Sequence, residues 1–179
     1  MLVEGVSDQQ AVETLAARCG RDLPADGVAV VAMGGARSIG THLARFGPAG
    51  LDVRLAGLCD AREEVDVRRT LERAGLGSDL DRAGMERLGF FVCEADLEDE
   101  LIRALGTARV ERVIDDEGEL RSLRTLQKQP AQQGRPVEAQ LRRFIGTRSG
   151  RKLRYARLLV EALDLGRVPR PLDRLLAHV

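Results

Sequence analysis

Short apolar runs alternate along the chain with stretches whose apolar residues recur at helical spacing. Leu2-Val3 is a brief apolar start, and Ala11, Val12, Leu15 and Ala16 then repeat with the period of a helix capped at Ser7 or Asp8. Val28 to Ala32 is a continuous apolar run, the pattern of a strand covered on both faces, which predicts a central place in a sheet. Gly34-Gly35 breaks it, a short helix is predicted from Ser38 through Phe46, and Gly47-Pro48 ends that helix. Val53 to Cys59 reads as the next strand, stopping at Asp60, and Glu63 to Ala74 as a helix with its acids in the first turn. A small helix over 81–88 precedes a fourth strand, Phe90-Phe91-Val92-Cys93. From Glu98 onward the pattern is helical, with segments expected at 98–105, 108–115, 119–129, 136–146, 151–163 and 171–178. Pro130, Pro136, Pro169 and Pro171 mark the breaks.

Strands that alternate with helices imply right-handed βαβ units and an α/β fold. The expectation is a mostly parallel four-stranded sheet flanked by helices, followed by a helical C-terminal extension. The division falls at residues 1–106 for the α/β part and 107–179 for the extension, packed as one unit. In such sheets ligands bind beyond the carboxyl ends of the strands.

Composition narrows this picture modestly. At 179 residues the chain can bury a core without disulfides or a structural metal. No apolar run approaches the roughly 20 residues of a membrane span, and no signal peptide is readable at Met1-Leu2-Val3-Glu4, so a cytoplasmic protein without membrane partners is expected. Cys19, Cys59 and Cys93 are isolated in apolar surroundings and read as reduced core thiols. Net charge is zero but divided: residues 1–119 hold 24 acidic and 14 basic side chains, and residues 120–179 hold 4 and 14. An acidic half attracts cations and a basic half suits a phosphate backbone, unless the two simply neutralise each other in the fold.

The acids stand at strand ends. Glu4 follows the first strand with Asp8 four residues on, Asp60 ends the third, and Asp96, Glu98, Asp99 and Glu100 follow the fourth. Any one of them is most simply a helix-start residue complementing the dipole, and only the coincidence at three strand ends gives the group weight. His42 and His178 belong to no such pattern. A donor set of oxygens alone suits Mg²⁺, Mn²⁺ or Ca²⁺ rather than zinc.

Leu2-Val3-Glu4-Gly5-Val6-Ser7-Asp8-Gln9-Gln10-Ala11-Val12-Glu13 resembles the opening motif of the TOPRIM domains of OLD-family nucleases. Met33-Gly34-Gly35 resembles that family's Gly-Gly turn, Gly57-Leu58-Cys59-Asp60 the strand leading to the first Asp of its Asp-x-Asp signature, and Asp96-Leu97-Glu98-Asp99-Glu100-Leu101 its later acidic motif. Gly150-Arg151-Lys152 ahead of Tyr155-Ala156 is similar to its C-terminal lysine segment. The resemblance implies a TOPRIM-type fold, with Glu4, Asp8, Asp60 and Glu98 holding Mg²⁺ or Mn²⁺, Asp96 in reserve, and Lys152 stabilising charge on the scissile phosphate. Glu4, Asp60 and Lys152 would carry catalysis. Two departures stand out: Arg62 occupies the place of the second signature acid, and no Walker motif occurs, so an ATPase would have to be a separate partner.

The function expected is metal-dependent phosphodiester hydrolysis of nucleic acid, DNA ahead of RNA. The arginines of 142–157, Arg142, Arg143, Arg151 and Arg154 among them, would track the backbone. Aromatics are 3% of residues, so contacts should fall on phosphate rather than on stacked bases. Two alternatives share these acids: a non-catalytic nucleic-acid or metal-binding module, in which Arg62 replaces a metal charge, and a primase-like nucleotidyl transferase.

Overall fold

A computed structural model describes residues 1–147 and 150–179. The first part runs β1 (Leu2–Val3), α1 (Val6–Arg18), β2 (Val31–Ala32), α2 (Ile39–Phe46), β3 (Gly57–Asp60), α3 (Glu64–Arg73), α4 (Arg82–Arg87) and β4 (Phe90–Cys93). Helices complete the chain: α5 (Leu97–Leu105), α6 (Thr107–Asp116), α7 (Leu120–Gln127), α8 (Val137–Ile145), α9 (Arg151–Ala162) and α10 (Arg170–His178). Each expected helix is present within two residues of its predicted ends. Among the described residues no helix is long and apolar enough to cross a membrane.

The sheet is wholly parallel, in the order β2-β1-β3-β4. Leu2 pairs with Val31 on one side and Gly57 on the other, and Gly57 to Asp60 pair with Phe90 to Cys93. Side chains alternate between two cores, as a pleated strand requires. Val3, Leu58, Phe91 and Cys93 join α1 and the C-terminal helices in one core, while Leu2, Cys59, Phe90 and Val92 join α2, α3 and α4 in the other. Helices therefore cover both faces, which is why the strands are apolar runs rather than alternating patterns.

Three expectations need correction. The Val28–Ala32 run is not central: only Val31-Ala32 is strand, it forms an edge, and its residues are half-buried. Hydrophobicity reports cover, and α1 and the adjoining loop give cover to an edge strand as well as to a central one. The third strand is shorter than its apolar run, because Val53 is tied instead to the Phe46 carbonyl and stays exposed. Cys59 and Cys93 are buried, but Cys19 at the end of α1 is exposed.

The chain order places the site. After β2 on one side of β1, the chain crosses back to lay β3 on the other side. Strand order thus reverses between β1 and β3, and the carboxyl ends at that reversal are the crevice in which open α/β sheets bind ligands. Glu4 and Asp60 stand there.

Candidate metal centre

Glu4 is the first residue beyond β1. Its carbonyl accepts a hydrogen bond from the Gly35 amide (3.0 Å), which ties the Gly-Gly turn over the strand end. Asp60 closes β3, and the chain turns at once, the Glu63 amide donating to the Asp60 carbonyl at 3.0 Å. That turn swings the Glu63 carboxylate back over the strand end. Glu4, Asp60 and Glu63 each present an oxygen within 4.8 Å of the others.

Glu63 is the residue that sequence reasoning missed. Its place in a helical first turn explained it fully, and the signal that could have found it is its spacing, three residues after a strand-end Asp. The Glu63 carboxylate also holds the clearest physical indication in the site: its Oε2 is buried and accepts no hydrogen bond. An unpartnered buried carboxylate oxygen is costly, and a cation fits it.

Crowding of like charges shows in the acidities. Burial, with Glu4, Glu63 and Asp96 nearby, pushes the Asp60 carboxyl up from its usual 3.8 to about 7. Burial, then Glu63 and Asp8, raise Glu4 above the usual range.

The other predicted acids are close by but already engaged. Asp8 is buried and accepts from the Gly5 amide at 2.9 Å as part of the α1 cap; burial raises its carboxyl. Asp96 caps α5 by accepting from the Asp99 amide at 2.9 Å, and its other oxygen pairs with Arg142. Glu98 is buried in the first turn of α5 with Lys152 Nζ 3.1 Å from its Oε1. Burial raises the Glu98 carboxyl and opposes the Lys152 charge, but Glu98, Asp8 and Asp96 together hold the ammonium above its usual range. The centre thus has two parts: an open trio, Glu4, Asp60 and Glu63, and a second group, Asp8, Asp96 and Glu98, in which Arg142 pairs with Asp96 and Lys152 with Glu98.

Arg62, in the place of the second signature acid, lies across the open trio. Its Nε donates to Glu63 Oε1 at 2.8 Å and an Nη reaches Asp60 Oδ2 at 3.4 Å. Beside it a cavity of about 770 Å³ runs between the Gly-Gly turn and α3. A larger cavity, about 940 Å³, lies at the opposite, amino-terminal end of the strands and holds none of these residues.

The arginines expected to track nucleic acid divide by environment. Arg143 is exposed on α8, and Arg154 is half-exposed with Glu119 at 2.6 Å. Arg142 is already paired with Asp96. Arg151 is corrected: it is buried over the Phe144 ring, and its guanidinium donates to the Phe144 carbonyl, Thr147 and Glu119, so it is an internal brace. Arg148 lies outside the described residues.

Acids on the ends of two parallel strands at a reversal of strand order form a crevice suited to a charged ligand. Residues 1–61 match the family model of the overcoming lysogenization defect protein-like TOPRIM domain. The C-terminal region of the OLD protein of Xanthomonas campestris pv. campestris is similar over 99% of this chain and 91% of that one, with 26% identity and a TM-score of 0.72. A second structure of that region gives 25% identity and a TM-score of 0.76, covering 99% of this chain and 89% of that one. The C-terminal region of the Burkholderia pseudomallei OLD protein shares the fold at 21% identity, with 99% and 94% of the two chains covered and a TM-score of 0.75. No curated protein matches the sequence. For a TOPRIM domain of this kind, the acidic cluster links the site to divalent metal and nucleic acid.

Proposed function

We propose that the chain is a metal-dependent phosphodiester hydrolase acting on nucleic acid, DNA before RNA, with Mg²⁺ or Mn²⁺ held by Glu4, Asp60 and Glu63. The observation that carries this reading is the Glu63 Oε2 atom, buried without a partner on a carboxylate clustered with those of Glu4 and Asp60. The all-oxygen donor set fits these hard cations. A bound ion supplies positive charge to polarise a phosphoryl oxygen and to favour ionised water.

The chain's own residues do the rest. Lys152 keeps its proton at neutral pH and offers a fixed positive charge for the oxygens of a phosphate in attack. Glu98 orients that ammonium from 3.1 Å, and Asp96, paired with Arg142, adds its charge nearby. In the reaction, water oxygen bonds to phosphorus as the ester P–O bond breaks, and the leaving oxygen takes a proton. Arg143 and Arg154 contribute backbone attraction.

The test is nicking of supercoiled plasmid and cleavage of single-stranded DNA with Mg²⁺ or Mn²⁺, beside Glu4→Gln, Asp60→Asn and Glu63→Gln. Activity should fall at least 100-fold in each variant and vanish with chelator. Equal cleavage by wild type and all three variants would mark a contaminant and defeat the proposal. One observation favours a second reading, a non-catalytic module: Arg62 already pairs with two of the three carboxylates. That reading takes over if folded wild-type protein binds metal and DNA but cuts neither substrate.

A further inference from the structure

We propose that the cavity beside the open carboxylate trio is a phosphate-binding subsite, and that Arg62 leaves the trio for that phosphate when a divalent cation binds. The inference rests on the metal reading above and names the anion that accompanies the metal.

The cavity holds about 770 Å³, room for a nucleotide-sized group. Glu4 and Glu63 lie at its junction with the trio, and Arg37, Arg62 and Arg73 line it, against one further acid, Asp66. Arg73 donates its Nε to the Arg69 carbonyl, and among the described residues neither Arg37 nor Arg73 forms an ion pair. Gly34 and Gly35 contribute backbone to the remaining wall. Gly35, at φ 122 and ψ 151, adopts a conformation open only to glycine, and a Cβ added at Gly34 or Gly35 would meet nothing within 4 Å. This backbone is accessible to a ligand and is pinned to the metal centre through the Gly35–Glu4 hydrogen bond.

Arg62 links the two sites. Its guanidinium compensates one of three carboxylate charges and pairs with Asp60 and Glu63, two of the three carboxylates available to an incoming cation. A divalent ion on those carboxylates competes with it for their charge and repels it. The side chain is 69% exposed, so turning away disturbs little packing, and it already lines the cavity. A guanidinium released from carboxylates is well matched to phosphate, which it binds through two parallel hydrogen bonds. Metal and phosphate should therefore strengthen each other's binding by one common factor. The phosphate belongs either to a strand terminus or free nucleotide, or to an internal linkage.

Mg²⁺ binding is measured by calorimetry alone and with thymidine 5′-monophosphate, or with an uncleavable phosphorothioate oligothymidylate lacking terminal phosphates. Wild type should bind Mg²⁺ roughly tenfold more tightly with one of these probes. The monophosphate responding identifies a terminal phosphate, the oligomer an internal one. Arg62→Ala should bind Mg²⁺ more tightly than wild type without probe and show coupling below twofold. Arg37→Ala/Arg73→Ala should weaken the probe and leave Mg²⁺ alone unchanged. Mg²⁺ binding that no probe strengthens, or coupling that survives Arg62→Ala, overturns this inference and leaves the metal reading intact. Absence of Mg²⁺ binding in wild type and Arg62→Ala alike overturns both.

Discussion

At the scale of single residues, the site is governed by how few cations answer its carboxylates. Asp60 shows this most directly. The folded chain keeps a proton on Asp60 up to about pH 7, whereas an unfolded chain releases it near 3.8. A raised carboxyl pKa means that the folded form binds more protons over that interval, so this group's contribution to stability declines as pH rises from about 4 to 7 and is level above. A divalent ion must displace the same proton. Carboxyl NMR of metal-free protein should show Asp60 titrating near 7, and Mg²⁺ affinity should fall as pH drops below that value. A midpoint near 4, with affinity flat between pH 5 and 7, would contradict the crowding described. Cys59 illustrates a different outcome of burial: its thiol is pushed up to about 12, so it stays protonated and packs as an apolar group.

Among the elements, β1 and β3 set the spacing of the centre, and Gly57 makes that spacing attainable. A Cβ at Gly57 would meet the Leu2 carbonyl oxygen at 2.7 Å and the Phe90 ring at 3.1 Å, so the two strands meet only because no side chain is there. Gly57→Ala should lower unfolding free energy by about 2 kcal/mol in urea titration, through forced separation of the strands. Because Glu4 and Asp60 ride on those strands, Mg²⁺ affinity should fall with it. An Ala variant as stable as wild type would show that the sheet absorbs the methyl elsewhere. At the other edge of the centre, α5 does double service. Its acidic first turn complements the helix dipole through Asp99 and the Asp96 cap, and the same turn buries Glu98 beside Lys152.

In the whole molecule, the oppositely charged halves meet face to face. Arg142 with Asp96, Lys152 with Glu98, Arg124 with Glu111 and Arg170 with Glu86 all join the basic C-terminal part to the acidic part. Neutralisation within the fold therefore accounts for much of the charge division, and Arg143 is among the cations left for a partner. A further connection is made by Glu119, which accepts from Arg151, Arg154 and Tyr155. Arg151 is buried on α9, and α9 packs along α1 in the main core. Glu119→Ala would leave that guanidinium without its carboxylate and should cost about 3 kcal/mol, read as a lower denaturant midpoint. A loss under 0.5 kcal/mol would mean that the Phe144 carbonyl and ring suffice.

Periodicity and punctuation in the sequence determined the elements. Apolar runs closed by Gly, Pro or Asp predicted four strands, and 3.6-residue spacing predicted the helices, because both signals are local consequences of burial on one face or two. Glu4 and Asp60 were legible as strand-end acids because strand ends are readable and the TOPRIM resemblance fixes their order. Strand order was not legible: the Val28–Ala32 run carries the composition of a central strand, yet lies at the edge, since cover by a helix or by another strand leaves the same apolar pattern. Partnership was not legible either. Glu63 joins Glu4 and Asp60, Arg151 goes inward, and Asp96 meets Arg142, 46 positions further along the chain, only because β3 turns back on itself and α8 and α9 pack against α5. Sequence specifies which groups can ionise, and the tertiary structure decides which charges find a partner and which carboxylate oxygen is left for a cation.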